Sequence, residues 1–236
     1  MNDHIVKAYD DELKDLRSIV SRMGGLAEEQ LVAAMKALKE IDTDAAWHVR
    51  SSDKALDQLE LEAERTAIGV FARRAPVADD LREVVSSLKM TGILERIGDY
   101  AKNIAKRTLA VNEAAPVVMP QLLEQMADEA RRMIQDVMDS YVHRDAEAAM
   151  DVWERDEALD NLHNAAYRQI LARMMENPSQ IGALTHFLMI AKNLERIGDQ
   201  ATNIAEQVYY TITGIMLEDA RRPKRDFTST ELVEEK

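Results

Sequence analysis

The chain reads as an all-α protein of two tandem, pseudo-symmetric three-helix bundles, six long antiparallel helices in all. Three observations carry that reading. The 236 residues include only 8 Gly, 5 Pro and 5% aromatics, whereas sheets draw on aromatic and β-branched residues and turns on Gly and Pro. Pro76, Pro116, Pro120, Pro178 and Pro223 fall near the boundaries of long stretches with heptad-like apolar spacing. The segment LERIGD occurs twice, and the offset of 100 between Glu95 and Glu195 also carries Leu94, Arg96, Ile97, Gly98, Asp99, Ala101, Asn103, Ile104 and Ala105 onto identical residues.

Taken in order, the first helix is expected over residues 5–40. Asp42 then serves as N-cap for a second helix over 44–74, with Asp44 placed in its first turn to suit the positive end of the helix dipole. Pro76 separates this from a third helix over 77–112. Pro116 and Pro120 precede the fourth, over 118–142. Asp145, with Glu147 two residues on, repeats the N-cap pattern for a fifth helix over 146–176. Pro178 leads into the sixth, over 179–217. Within each triplet VRSSDKALDQL, from Val49, matches VWERDEALDNL, from Val152, at an offset of 103. The second copy is therefore three residues shorter between its motifs, a difference best absorbed in the loop before its third helix. The expected units are 1–114 and 115–220, followed by a flexible charged tail, 221–236.

Bulk composition narrows the function. At 46% hydrophobic residues the chain can bury a sizeable core. Its zero cysteines exclude disulfides and thiolate metal sites, so any metal must be held by oxygen or imidazole. The start, MNDHIVKAYDDELKDL, has neither a basic n-region nor an apolar h-region, and no 18-residue apolar run occurs. A cytoplasmic protein is expected, reaching a membrane only through partners. The formal net charge of −13 argues against nucleic acid as a partner. The basic run RRPKR at 221–225 reads as a solvated terminus.

The chemistry concentrates in carboxylates. Residues four apart on an α-helix differ by about 40° around its axis. Glu95, Asp99 and Asn103 therefore form one ladder, and Glu195, Asp199 and Asn203 a second. In the second helix of each unit, Asp53 and Asp57 share a stripe with Glu60 and Glu64, while Asp156 and Asp160 are followed by His163 and Tyr167. Like charges at this spacing destabilise a helix by a few tenths of a kcal/mol each, so a compensating partner is expected. Leu94, Ile97, Ala101 and Ile104, with their counterparts Leu194, Ile197, Ala201 and Ile204, form an apolar stripe on the other side. Gly98 and Gly198 would let a neighbouring backbone or side chain approach beside the acids. One reading is a solvated acidic face with Arg96 and Arg196 in weak surface pairs. The other is a carboxylate metal site, repeated in each unit, since hard cations take oxygen ligands. His4, His48, His143 and His186 lack matched partners, the 13 methionines follow core spacing, and neither a GxxxxGK loop nor a Ser, His and Asp arrangement is present.

The segments LERIGDYAKNIAKR and NLERIGDQATNIAEQV, with APVADDLR before the first and MGGLAEEQL at Met23, resemble the signature of the PhoU family, accessory proteins of bacterial phosphate-specific transport. The resemblance runs nearly end to end. It implies a cytoplasmic, non-enzymatic regulator that represses the phosphate-starvation response by relaying the state of a phosphate ABC transporter, through its ATPase subunit, to a phosphate-sensing histidine kinase. It also implies metal at the repeated acid-xxx-acid motif, here Asp53, Asp57, Glu95, Asp99, Asp156, Asp160, Glu195 and Asp199. In the family that metal is a multinuclear iron or zinc cluster, or magnesium or manganese. The second copy departs from the first in placing His163 where Glu60 stands. Long amphipathic helices further suggest a homodimer. A different class of reading is a ferritin-like di-metal carboxylate oxidase or iron-handling protein, but such sites use Glu-x-x-His from two helices, and only Asp160-x-x-His163 comes close. A third is a coiled-coil structural protein without metal.

Overall fold

A computed structural model of the chain describes residues 2–52, 54–114 and 116–217. These form eight α-helices: α1 (Asn2–Glu40), α2 (Thr43–Ser52), α3 (Lys54–Arg74), α4 (Ala78–Glu113), α5 (Gln121–His143), α6 (Ala146–Glu154), α7 (Asp156–Glu176) and α8 (Ile181–Thr213). They follow the six expected runs, with two of those runs recorded as pairs. Segments α2 and α3 flank Asp53, which lies outside the described residues, as does the expected tail, 221–236.

Between α6 and α7 the ladder tightens at Arg155. The Ala158 N–H donates to the Arg155 carbonyl at 3.0 Å, a three-residue step within an otherwise four-residue register. Two carboxylates of α5 hold this point from outside, since the Arg155 guanidinium lies 2.7 Å from Asp136 and 3.2 Å from Glu129. The last helix stops short of its expected end because Gly214 takes the left-handed conformation (φ 74°) and its N–H closes on the Tyr210 carbonyl at 2.9 Å.

The turns between α1 and α2 and between α5 and α6 are the same device used twice. Ile41 (φ 52°) and Arg144 (φ 55°) adopt left-handed backbone. Asp42 N–H donates to Ala37 O, and Asp145 N–H to Ser140 O, each at 2.9 Å, which is the closing bond of a Schellman motif. Both aspartates then cap the next helix, Asp42 Oδ1 accepting from Ala45 N–H at 2.9 Å and Asp145 Oδ1 from Glu147 and Ala148 N–H at 3.0 Å. A β-branched residue at positive φ is strained by about 1 kcal/mol. Ile41→Gly is therefore expected to raise the melting temperature by about 2–4 °C, readable by circular dichroism. No gain would mean that Ile41 makes compensating contacts in the turn.

In the first unit α3 and α4 pack on α1, and in the second α7 and α8 pack on α5. The units meet through α1 against α5 and, most extensively, α4 against α8. Leu94, Ile97, Ala101 and Ile104, with Leu194, Ile197, Ala201 and Ile204, are all fully buried in one contiguous cluster that also takes Leu16, Met23 and Leu123. The two repeats thus share a core rather than owning one each. No helix among the described residues is long and apolar enough to cross a membrane.

Candidate carboxylate sites at two leucine-on-glycine crossings

The acid ladders are placed by a contact that is the same in both halves. A Cβ on Gly98 would overlap Leu56 Cδ1, and one on Gly198 would overlap Leu159 Cδ2. Each leucine is fully buried, so α3 seats against α4, and α7 against α8, at a residue with no side chain to hold them apart. Asp57 follows Leu56 and Asp99 follows Gly98, which puts both at the rim of the first crossing. Asp160 and Asp199 stand likewise at the second. The leucines are 103 residues apart and the glycines 100, the two offsets read from the motifs.

The first site is the more acidic and open. Asp57 and Glu64 are exposed, while Glu95, Asp99 and Glu60 are half-buried. Glu60 points across to α4, its Oε1 lying 3.4 Å from where a Cβ of Gly92 would stand. Burial raises the Glu60 carboxyl above its ordinary range, the Glu64 and Asp57 carboxylates add to the shift, and the Arg96 guanidinium opposes them. Asp99 also receives Lys102 at 3.3 Å. The oxygen of a buried amide, Gln30 Oε1 from α1, lies against Gly98 without a hydrogen-bond partner.

The second site is drier, and its lysine stands at a different place. Glu195 is only 6% exposed and His163 8%. The Lys192 ammonium lies 2.9 Å from Glu195 Oε1. Lys192 takes the position of Gly92, and His163 that of Glu60. The two exchanges are complementary: where Glu60 reaches toward a bare helix in the first half, a lysine occupies that place in the second and an imidazole replaces the acid. Among the described residues Arg196 pairs with no acid; it lies 5.9 Å from the Tyr100 ring centroid, spanning α8 to α4.

Asp57, Glu95, Asp99, Asp156, Asp160, Glu195 and Asp199 therefore lie on the helix pairs expected of them, and Asp53 lies outside the described residues. Among the described residues no group of three or more acidic or histidine side chains is already drawn together around one point. The donor set nonetheless fits a hard cation in kind. It is all oxygen at the first site, where burial first and the neighbouring Glu64 and Asp57 carboxylates second raise the Glu60 carboxyl.

Comparison with known proteins agrees with the repeat. The family model for the PhoU domain matches twice, at residues 20–108 and 123–208. The chain belongs to the PhoU family. The PhoU homolog of Caulobacter vibrioides, a phosphate-specific transport system accessory protein by name, is 44% identical over 230 residues, covering 97% of this chain and 100% of its own. The corresponding protein of Zymomonas mobilis is 43% identical over 221 residues, covering 94% and 93%. Among solved structures, PhoU from Pseudomonas aeruginosa superposes with a TM-score of 0.84 at 34% identity, over 88% of this chain and 100% of that one. PhoU from Streptococcus pneumoniae gives 0.79 at 28%, over 89% and 99%.

One polar cluster escapes sequence reasoning altogether. The Glu83 carboxylate on α4, 7% exposed, receives Arg17 of α1 through Nε and through Nη2 at 2.9 Å, and Arg144 of the α5–α6 turn at 3.1 Å. It ties the two halves together. Glu83 has no counterpart across the repeat, where Ala183 stands, and Arg144 faces Ile41 in the other copy. Periodicity can find only what is duplicated.

Proposed function

We propose that this PhoU protein is a non-enzymatic regulatory accessory of a phosphate-specific transport system, bound at the cytoplasmic face through partners. It couples the transporter's ATPase subunit to a phosphate-sensing histidine kinase and restrains the phosphate-starvation response. The observation that carries the reading is the near-full-length match, over 97% of this chain, to a relative named for that system. Deleting the gene in its host is expected to switch on a phosphate-starvation reporter in phosphate-replete medium, with restoration by the intact chain. A reporter that stays silent after deletion, or that the intact chain does not restore, would remove the regulatory role.

The carboxylates are read as cation sites within that role. Asp57, Glu95 and Asp99 in one half, with Asp53, and Asp156, Asp160, Glu195 and Asp199 in the other would hold a divalent or multinuclear metal. When bound, the metal supplies positive charge that cross-links paired helices. The first crossing, where Glu60 and Glu64 add acid beside the shared positions, is the stronger of the two for a hard cation. Asp99→Ala should lower metal content in purified protein more than Asp199→Ala, measured by elemental analysis alongside melting temperature. Equal content in wild type and both variants would strike these residues from the ligand set. The ferritin-like alternative is not favoured, because its Glu-x-x-His motif has only the single partial match at Asp160 and His163.

A further inference from the structure

A cavity of about 270 Å³ opens between α1, α5 and the end of α8, away from both carboxylate crossings. Its wall combines apolar side chains, Tyr141, Val208 and Ile212 among them, with the hydroxyls of Ser18, Ser21 and Thr211, and three cations stand round it: Lys14, Arg17 and Arg144. Among the described residues one buried anion, Glu83, faces this group. Asp11 lies 3.9 Å from Lys14, and both it and Asp10 are exposed and solvated, so they offset little. In a chain of net charge −13, a concave site with an excess of positive charge is unlike its surroundings.

The guanidinium groups are not used up by Glu83. Each carries five N–H donors. Glu83 takes two nitrogens of Arg17 and one of Arg144. The remaining donors have no hydrogen-bond partner among the described residues. Glu83 thus acts as a fixed brace that holds two planar forks at the cavity while leaving edges of both for a second acceptor. Planar forks of this kind match the spacing of oxygens in phosphate and carboxylate groups. Ligand pockets usually span about 300–1,000 Å³, so this one suits a small ion rather than a nucleotide. The Arg144 position adds to the case. The turn that holds it needs only a left-handed residue, and its counterpart Ile41 meets that need with an uncharged side chain.

We propose that this cavity binds a small oxyanion, held by Lys14, Arg17 and Arg144 against this wall. The site is separate from the cation sites above and does not depend on them.

Isothermal titration of the full-length protein at low ionic strength tests this, with inorganic phosphate, sulfate and acetate as separate titrants in a chloride background. Saturable binding of at least one oxyanion is expected. Arg144→Ile, which copies Ile41 at the matching turn, and Lys14→Ala, at an exposed position, should each weaken it about tenfold, the loss of one charged hydrogen bond. Circular dichroism should remain unchanged in the lysine variant. Arg131→Ala, outside the cavity, should leave binding intact. No saturable binding up to about 10 mM, weaker than any affinity worth about 3 kcal/mol, would overturn the proposal. Binding that survives in both cavity variants, or falls equally in Arg131→Ala, would overturn it too, because the anion would then be held elsewhere or by net charge alone.

Discussion

Gly198→Val is expected to destabilise the protein by about 2–3 kcal/mol, near the upper end of what overpacking a core costs. The residue is buried within α8, and the space its Cβ would enter is occupied by Leu159 Cδ2. Valine carries two further methyl groups into that space. The small gain in helix propensity over glycine offsets only part of the clash. Urea unfolding should show a lower midpoint at an unchanged slope. The partner is named, so the cause can be tested by a cycle. Leu159→Ala alone leaves a cavity and should cost about 3 kcal/mol, but in the valine background it should restore room, so the double variant should lose at least about 1 kcal/mol less than the sum. Strict additivity would mean that the leucine does not set the helix separation.

Phe187→Ala should be costlier still, at about 3–5 kcal/mol. Phe187 heads the fully buried side chains by volume, and its counterpart in the first half is Ser87, whose hydroxyl lies 3.3 Å from the Tyr141 hydroxyl. The two repeats fill equivalent space differently, one with a ring and one with a polar contact across to the other half. The continuous core makes a second outcome specific. Trp47 reports on α2 and Trp153 on α6, and single-tryptophan versions of the variant should unfold at one midpoint, although the substitution lies in the second half alone. Two separated midpoints would show that the repeats behave as independent bundles.

The helix pairs, the repeat and the acid ladders were legible before any coordinates because each has a linear signature. Asp42 and Asp145 act as caps at the positions their spacing indicates, and the apolar stripes on α4 and α8 are fully buried. Gly98 and Gly198 could be recognised as points of close approach, but the residue that approaches could not. Leu56 and Leu159 look like any other core leucines in their heptads. The helix α8 ends at Thr213 rather than at the expected 217, because Gly214 takes the left-handed conformation and closes it. The break at Arg155 depends on Asp136 and Glu129 from a different helix, and nothing near Arg155 in the chain announces it.

The sequence by itself determined that the chain is helical, that it is built twice from one plan, and that eight carboxylates recur on matched faces. Those are properties of spacing along one chain, which the 3.6-residue turn converts directly into faces. Only the tertiary structure decided how the two copies join and where they differ. The shared core between α4 and α8, the Glu83 brace, the cationic cavity beside it and the unequal burial of the two acid sites all arise between residues tens of positions apart. Their pairing depends on which helices pack together, and a single sequence records the side chains of such a contact without recording that they meet.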